Sequence, residues 1–469
     1  MRILSFFLFV FISLNSFSQT LTQRIQKAYE QFSKDTQLQY GLSSLTVLNA
    51  QSGEVIFSAN GNIGLPPAST LKTVTSITAF NLLGKDFTWQ TGLAYTGSIA
   101  PDGTLEGDII LIGSGDPTLG STRYSQSAPK QLFERWLKAI RQAGIKRING
   151  NVLSDDRLFG TQSLPLGWIW QDMGSYYGAG TSSLTWEENQ FGLIFKAGAK
   201  TGELTKLIRT EPAVDYLKIV NEVTTGPAGS GDNVYAFSSP YSYIIYLRGT
   251  YGIDLQKTIF ASLTDPAFEV AYRLQDTLKR AGIIISKPPS TARRLSLNSQ
   301  PFPVNPKMID TYTSPDLGNV VYWLNQKSIN IYGEQILKTL TLKQGKDINT
   351  SGAEAIKDFW VSKLSIDPNT LKMLDGSGLS PETRVTTLTM AKILQSAKKE
   401  SWFDSFYESL PLYNNMKMKS GSIREVLAYA GYQTSSSGVP LAFSFITSNY
   451  NGSTAAIRKK MFNMLDALK

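Results

Sequence analysis

The chain of 469 residues contains no cysteine and no histidine. Without cysteine it has no disulfide, no thiol nucleophile and no thiolate metal site. Without histidine, Ser-His-Asp catalysis, imidazole acid–base chemistry and the usual zinc hydrolases are excluded together. A hydrolase built from this chain must take its base from a carboxylate, a tyrosine or a lysine. Charged residues are sparse, at 18%, yet the apolar share of 42% is that of an ordinary soluble protein. Two or three domains with real cores are expected, and the composition calls for no metal and no cofactor. The net charge of +9 is spread without a long polybasic block. That suits a polyanionic surrounding, an acidic wall polymer or a membrane surface, and peripheral association with either is expected. Nucleic acid is not expected as a partner, because no nucleic-acid-binding signature accompanies the charge.

What is present begins with "MRILSFFLFVFISLNSFSQ". A positive Arg2, an apolar run from Ile3 to Leu14, and small Ser16 and Ser18 have the layout of a secretory signal, cleaved near Ser18. An uncleaved anchor is the alternative, and a lipid anchor has no cysteine to carry it. No later run approaches the ~18 apolar residues of a membrane span. A periplasmic location is therefore expected for the mature chain.

After residue 18, "LTQRIQKAYEQF" predicts an amphipathic helix. "LSSLTVLNA" and "GEVIFSAN" predict a β-hairpin, and "TLKTVTSITAFNLLG" a buried central helix stopped at Gly84. Residues 89–305 have another texture, short strands separated by Gly, Pro and Ser turns with one plain helix in "PAFEVAYRLQDTLKRAG". They read as an inserted β-rich region of one or two lobes. Helical patterns return after residue 306, the first opening at Ser314 as a cap. They end in the strands of "YNNMKMKSGSIREVLAYAGYQ" and "PLAFSFITSN" and a closing helix. The expected fold is α+β: residues 19–88 and 306–469 form one domain, an antiparallel sheet with helices on its faces, interrupted by the insert.

The chemistry gathers around "PPASTLKTVTS". Lys72 follows Ser69 by nearly one helical turn, so its ammonium can return to the serine oxygen. At a helix mouth Ser69 also offers its own N–H to a developing oxyanion. A free lysine sits near pKa 10.4, and a useful base nearer 7 to 8. Burial and a second cation must supply the roughly three units between them. Lys419 in "MKMKSGS" is the candidate cation. Beside it, Ser420 can donate to a carboxylate and the Ser422 N–H to the oxyanion. In "KSIN", Ser328 can relay a proton and Asn330 can hold a peptide carbonyl. Each motif is weak alone. Ser-x-x-Lys also occurs at Ser127/Lys130 and Ser396/Lys399, Ser-x-Asn at Ser58/Asn60 and Ser296/Asn298, and Lys-Thr-Gly at Lys200-Thr201-Gly202. Order and flanking elements select Ser69, Ser328 and Lys419.

In this order the three motifs resemble the signature of the serine penicillin-binding proteins and β-lactamases. The stretches "IGSGDPTL", "SDDRLF", "LGWIWQDMGSYYGAG" and "LDGSGLS" are similar to the class C low-molecular-mass penicillin-binding proteins, the D-alanyl-D-alanine carboxypeptidase/endopeptidase family. So is the long insert between Ser69 and Ser328. The resemblance implies a β-lactamase/transpeptidase-like domain acting on peptidoglycan stem peptides, with β-lactam antibiotics as covalent inhibitors. It implies Ser69 as the acylated nucleophile, Lys72 as its base, Ser328 as proton relay and Asn330 as substrate holder. Lys419 would supply positive charge, Ser420 would bind the terminal carboxylate, and the Ser422 N–H would join that of Ser69 at the oxyanion. Ile329 and Ser420 stand where many members have Asp and Thr. Asp155 or Asp156 has two readings, meeting a substrate amino group in the cleft or pairing locally with Arg157. Asp375, Gly376 and Gly378 are expected to support a tight loop, and Trp168, Trp170, Tyr176 and Tyr177 to pack in a core. The rival functions are a β-lactamase and a non-catalytic wall-binding scaffold.

Overall fold

The structure, a computed structural model, describes residues 20–348 and 352–469. The expected signal peptide lies outside the described residues. The two ends of the described chain meet in one antiparallel sheet of six strands. Its order is Val55–Ala59, Leu42–Asn49, Pro440–Ser448, Val426–Thr434, Met416–Ile423 and Leu412–Tyr413. Side chains alternate across a sheet, and here both faces are covered, so the central strands read as almost unbroken buried runs. Met418, Tyr429, Phe443 and Val47 pack with the terminal helices Leu21–Ser33 and Thr454–Leu465. Ala430, Tyr432 and Ala442 pack with the helical layer opposite.

The helix Leu71–Leu83 lies inside that layer. Every residue from Leu71 to Phe80 is buried, which is why the segment shows no polar stripe. Its threonines still find acceptors, for Thr73 donates to the Thr70 carbonyl and Thr78 to that of Val74. Gly84 ends the helix with φ of 82°, a conformation that favours glycine. The helical pattern of residues 317–343 is broken in two, Leu317–Gln326 and Asn330–Lys343, with Ser328 at φ 57° in the break. The cap is not Ser314. Asp316 accepts from the Asn319 N–H at 2.8 Å, while Ser314 Oγ accepts from the Trp89 N–H at 2.9 Å. The carboxylate two residues later sits at the cap position and reaches the free N–H groups of the first turn. The stretch from 413 to 433 is likewise two strands folded back at Arg424-Glu425, where Glu425 takes φ 55°.

The insert holds two separate cores. The first packs the helices Pro129–Gln142 and Pro266–Arg280 on a five-stranded sheet. The second gathers Phe191, Leu193, Ile245 and Leu247 from its remaining strands. The strand Lys307–Thr313, assigned to the terminal domain from sequence, pairs antiparallel with Gln90–Tyr95. Its Tyr312 is buried in the first insert core, so the chain rejoins the terminal domain at about residue 314.

Candidate active site

Pro66 and Pro67 lead into a single 3-10 turn, Ala68–Thr70, that runs directly into the helix Leu71–Leu83. Ser69 sits in that turn rather than in the helix proper. Two neighbours have no room for a side chain here. A Cβ on Gly421 would lie 2.7 Å from the Ser69 and Thr70 nitrogens, and one on Gly378 would lie 1.9 Å from the Ala68 carbonyl oxygen. The strand Met416–Ile423 and the loop 375–378 therefore press against the turn of Ser69 from two sides.

Lys72 Nζ donates to Ser69 Oγ at 2.9 Å, to Asn330 Oδ1 at 2.6 Å and to the Ser377 carbonyl at 2.9 Å. The side chain is wholly buried, and burial pushes its pKa down to about 7, while Glu334 and Asp375 pull the other way. Lys419 Nζ donates to Ser328 Oγ at 3.0 Å and to the Ser420 carbonyl at 2.7 Å. Its pKa lies well below the usual value, first from burial and then from the charge of Lys72. Lys419 stands in the same site, but burial rather than the expected second cation is what carries Lys72 to its value. Asn330 uses its oxygen on Lys72 and donates from Nδ2 to the Tyr177 carbonyl at 2.7 Å. One N–H of its amide is left to face the cleft.

Ser69, Ser328, Asn330 and Ser422 line one cleft of about 1000 Å³. Ser420 is not in its wall. It is half-buried, and its carbonyl is what holds Lys419. Asp155 does not line the cleft either. Arg157 binds its carboxylate through two donors, at 2.8 and 2.7 Å, so the local pairing is the reading the geometry carries. Asp156 accepts from the Arg293 N–H and lines a different cavity. The aromatic cluster also departs from expectation. Trp168 is buried and donates to Asp375 at 3.0 Å, but Trp170 and Tyr176 are exposed. Tyr176 and Tyr177 belong to the cleft wall. Their run is broken into short turns, Trp170–Met173 and Tyr176–Gly178, which cannot bury aromatic rings on one continuous face.

Three contributors were not singled out from the sequence. Glu334, one helical turn beyond Asn330, is buried and accepts from the Gly376 N–H with both carboxylate oxygens. Burial raises its pKa to about 8, and Asp375 adds to the rise. A lone acid in the otherwise apolar "INIYGEQIL" was the available signal. Ser377 offers its carbonyl to Lys72, which no side-chain pattern announces. Glu188 accepts from Arg123 at 2.7 Å, Ser121 at 2.8 Å and Tyr332 at 2.9 Å, tying the insert to the helix of Asn330. It lies in a run of three residues, Glu187 to Asn189, with φ of 49°, 57° and 54°. Strain of this kind concentrates at functional sites.

A serine over a buried lysine, a second lysine opposite, and a helical layer on an antiparallel sheet closed by both chain ends define the penicillin-binding protein and β-lactamase class. Within that class, the chain belongs to the D-Ala-D-Ala carboxypeptidase 3 (S13) family, whose sequence profile matches residues 25–468. It is 25% identical over 450 residues to a D-alanyl-D-alanine carboxypeptidase of Actinomadura sp. (strain R39), covering 89% of this chain and 80% of that protein. It is also 25% identical over 429 residues to the D-alanyl-D-alanine carboxypeptidase DacB of Haemophilus influenzae, covering 86% and 84%. The crystal structure of penicillin binding protein 4 (dacB) from Haemophilus influenzae superposes with a TM-score of 0.76. It is 20% identical and covers 94% of this chain and 97% of that one, so the α+β fold is shared.

Proposed function

We propose that this protein is an exported serine D-alanyl-D-alanine carboxypeptidase/endopeptidase that acts on peptidoglycan stem peptides through an acyl-enzyme on Ser69. The observation that carries the reading is the wholly buried Lys72 ammonium, 2.9 Å from Ser69 Oγ and brought to a pKa of about 7. At neutral pH a sizeable fraction of Lys72 is then neutral and able to take a proton.

Ser69 Oγ attacks the carbonyl carbon before the terminal D-alanine as its proton passes to Lys72. The Ser69 and Ser422 N–H groups stabilise the oxyanion, where losing one such donor costs on the order of 10² to 10³ in rate. As the C–N bond breaks, the proton taken by Lys72 is relayed through Ser328, whose hydroxyl Lys419 holds, to the departing amine, and Lys72 is neutral again. Water then hydrolyses the ester and restores Ser69. An endopeptidase breaks the same bond with a side-chain amine of a neighbouring stem as leaving group. A cleft of about 1000 Å³, walled partly by the insert residues Asp172, Tyr176, Tyr177 and Phe260, supports a peptide substrate of some length. A penicillin follows the same course through its strained amide, and its acyl-enzyme resists water.

The test is intact-mass analysis of wild type and Ser69→Ala after a fluorescent penicillin. A single adduct on wild type and none on the variant is expected, with D-alanine released from purified muropeptides by wild type alone. Persistent labelling of Ser69→Ala would overturn the assignment.

A further inference from the structure

Glu334 is a buried carboxyl that the acyl-transfer steps above do not use. It stands on the same helix as Asn330, one turn further on, and both residues converge on Lys72. Asn330 Oδ1 receives the ammonium directly, at 2.6 Å. Glu334 works through the loop 375–378: its two oxygens accept from the Gly376 N–H at 3.1 and 2.9 Å, and the next residue, Ser377, gives its carbonyl to Lys72 at 2.9 Å. Thr75, on the helix of Lys72, donates to the Gly376 carbonyl at 2.6 Å and closes the circuit. Helix and loop are pressed together to the limit, since a Cβ on Gly376 would lie 2.6 Å from the Gly333 carbonyl oxygen. Glu334 also lines a separate cavity of about 180 Å³ with Lys338, Leu337 and Leu374. None of Ser69, Ser328 and Lys419 takes part in that cavity, so it is distinct from the substrate cleft.

We propose that Glu334 is a positioning residue of the acyl transfer: it clamps the loop whose Ser377 carbonyl holds Lys72. The inference rests on the reading of Lys72 as the base. The charged groups around the pair are Lys419 from the strand Met416–Ile423, Asp375 from the loop, and Lys338 on the helix of Glu334 itself. Burial raises the Glu334 pKa to about 8, so at neutral pH it holds Gly376 by acceptor geometry rather than by a fixed charge. Glutamine keeps an acceptor oxygen at the same reach, whereas aspartate is one methylene short. A purely structural role would lower the melting temperature together with the rate, and glutamine would not rescue it.

The experiment follows acylation by a chromogenic cephalosporin between pH 5 and 9 for wild type, Glu334→Gln and Glu334→Asp, with melting temperatures in parallel. Glu334→Gln keeps an acceptor for the Gly376 N–H and is expected to acylate within about threefold of wild type with the acid limb in place. Glu334→Asp falls short of Gly376, and its plateau rate is expected to drop about tenfold at an unchanged melting temperature, as a displaced catalytic group does. A wild-type plateau for Glu334→Asp overturns the proposal, as does a Glu334→Gln rate no better than that of Glu334→Asp. If Glu334→Asp does not fold, Glu334→Gln decides, and a tenfold loss there overturns it. Absence of any acylation of the wild-type protein is a separate result, and it would overturn the proposed function instead.

Discussion

Replacing Gly421 by alanine adds one methyl group at a close backbone contact beside Ser69. The added Cβ would sit 2.7 Å from the backbone nitrogens of Ser69 and Thr70 and 2.8 Å from the Pro67 carbonyl oxygen. All three are backbone atoms, so no flexible side chain can swing away. Reaching an ordinary contact of about 3.4 Å requires strand and nucleophile turn to separate by about 0.7 Å. The turn is held from behind by Thr70, which donates to the Pro67 carbonyl at 2.6 Å, and by the Gly378 contact on Ala68. The strand is fixed by its ladder to Val426–Thr434. Separation therefore widens the gap between the Ser69 and Ser422 N–H groups and draws Lys419 away from Ser328. A misplacement of this size costs on the order of 10²-fold in rate, whereas overpacking costs about 1–3 kcal/mol of stability. Gly421→Ala should thus remain folded but acylate on the order of 10²-fold more slowly with a fluorescent penicillin, in a time course read by gel or intact mass. Wild-type acylation by a folded Gly421→Ala protein would refute the close approach and the oxyanion site built on it.

Acylation of the wild-type protein should rise with pH along an acid limb centred at about 7 and fall tenfold per unit below it, which a stopped-flow pH series measures. The same lysine counts against folding. Its folded value lies below the unfolded 10.5, so the unfolded chain binds the extra proton and stability rises with pH between about 7 and 10.5. Lys72→Met should accordingly be more stable than wild type at pH 6, by up to about 5 kcal/mol, with the advantage vanishing towards pH 10 in urea titrations. An unchanged gap across that range would contradict the buried-lysine account. Glu188→Gln should lose about 2 kcal/mol, less than the 3–5 kcal/mol of a fully buried pair because water reaches Arg123. Its urea midpoint should fall, and equal midpoints would show that the clamp on Tyr332 carries no weight.

The order of three short motifs, the missing histidine and the missing cysteine were enough to select Ser69, Lys72 and Lys419, which the fold brings into one site. Such features are local. A Ser-x-x-Lys spacing on a helix fixes which atoms meet, and composition fixes which bases are available at all. The hairpin at each end and the all-round burial of Leu71–Leu83 were legible for the same reason, since periodicity records which faces a segment buries. The rest depended on contacts between segments far apart in the chain. Glu334 matters because Gly376, 42 positions later, meets it. Tyr177 matters because Asn330 donates to its carbonyl across 153 positions. Asp155 fails to reach the cleft because Arg157 captures it first. The strand Lys307–Thr313 joins the insert through a ladder to residues some 200 positions earlier, which no local pattern encodes. The sequence by itself determined which groups can do the chemistry, because reactivity resides in side-chain type and near spacing. Only the tertiary structure decided what tunes and holds them, because burial, carbonyl acceptors and opposed charges arise only when distant segments pack.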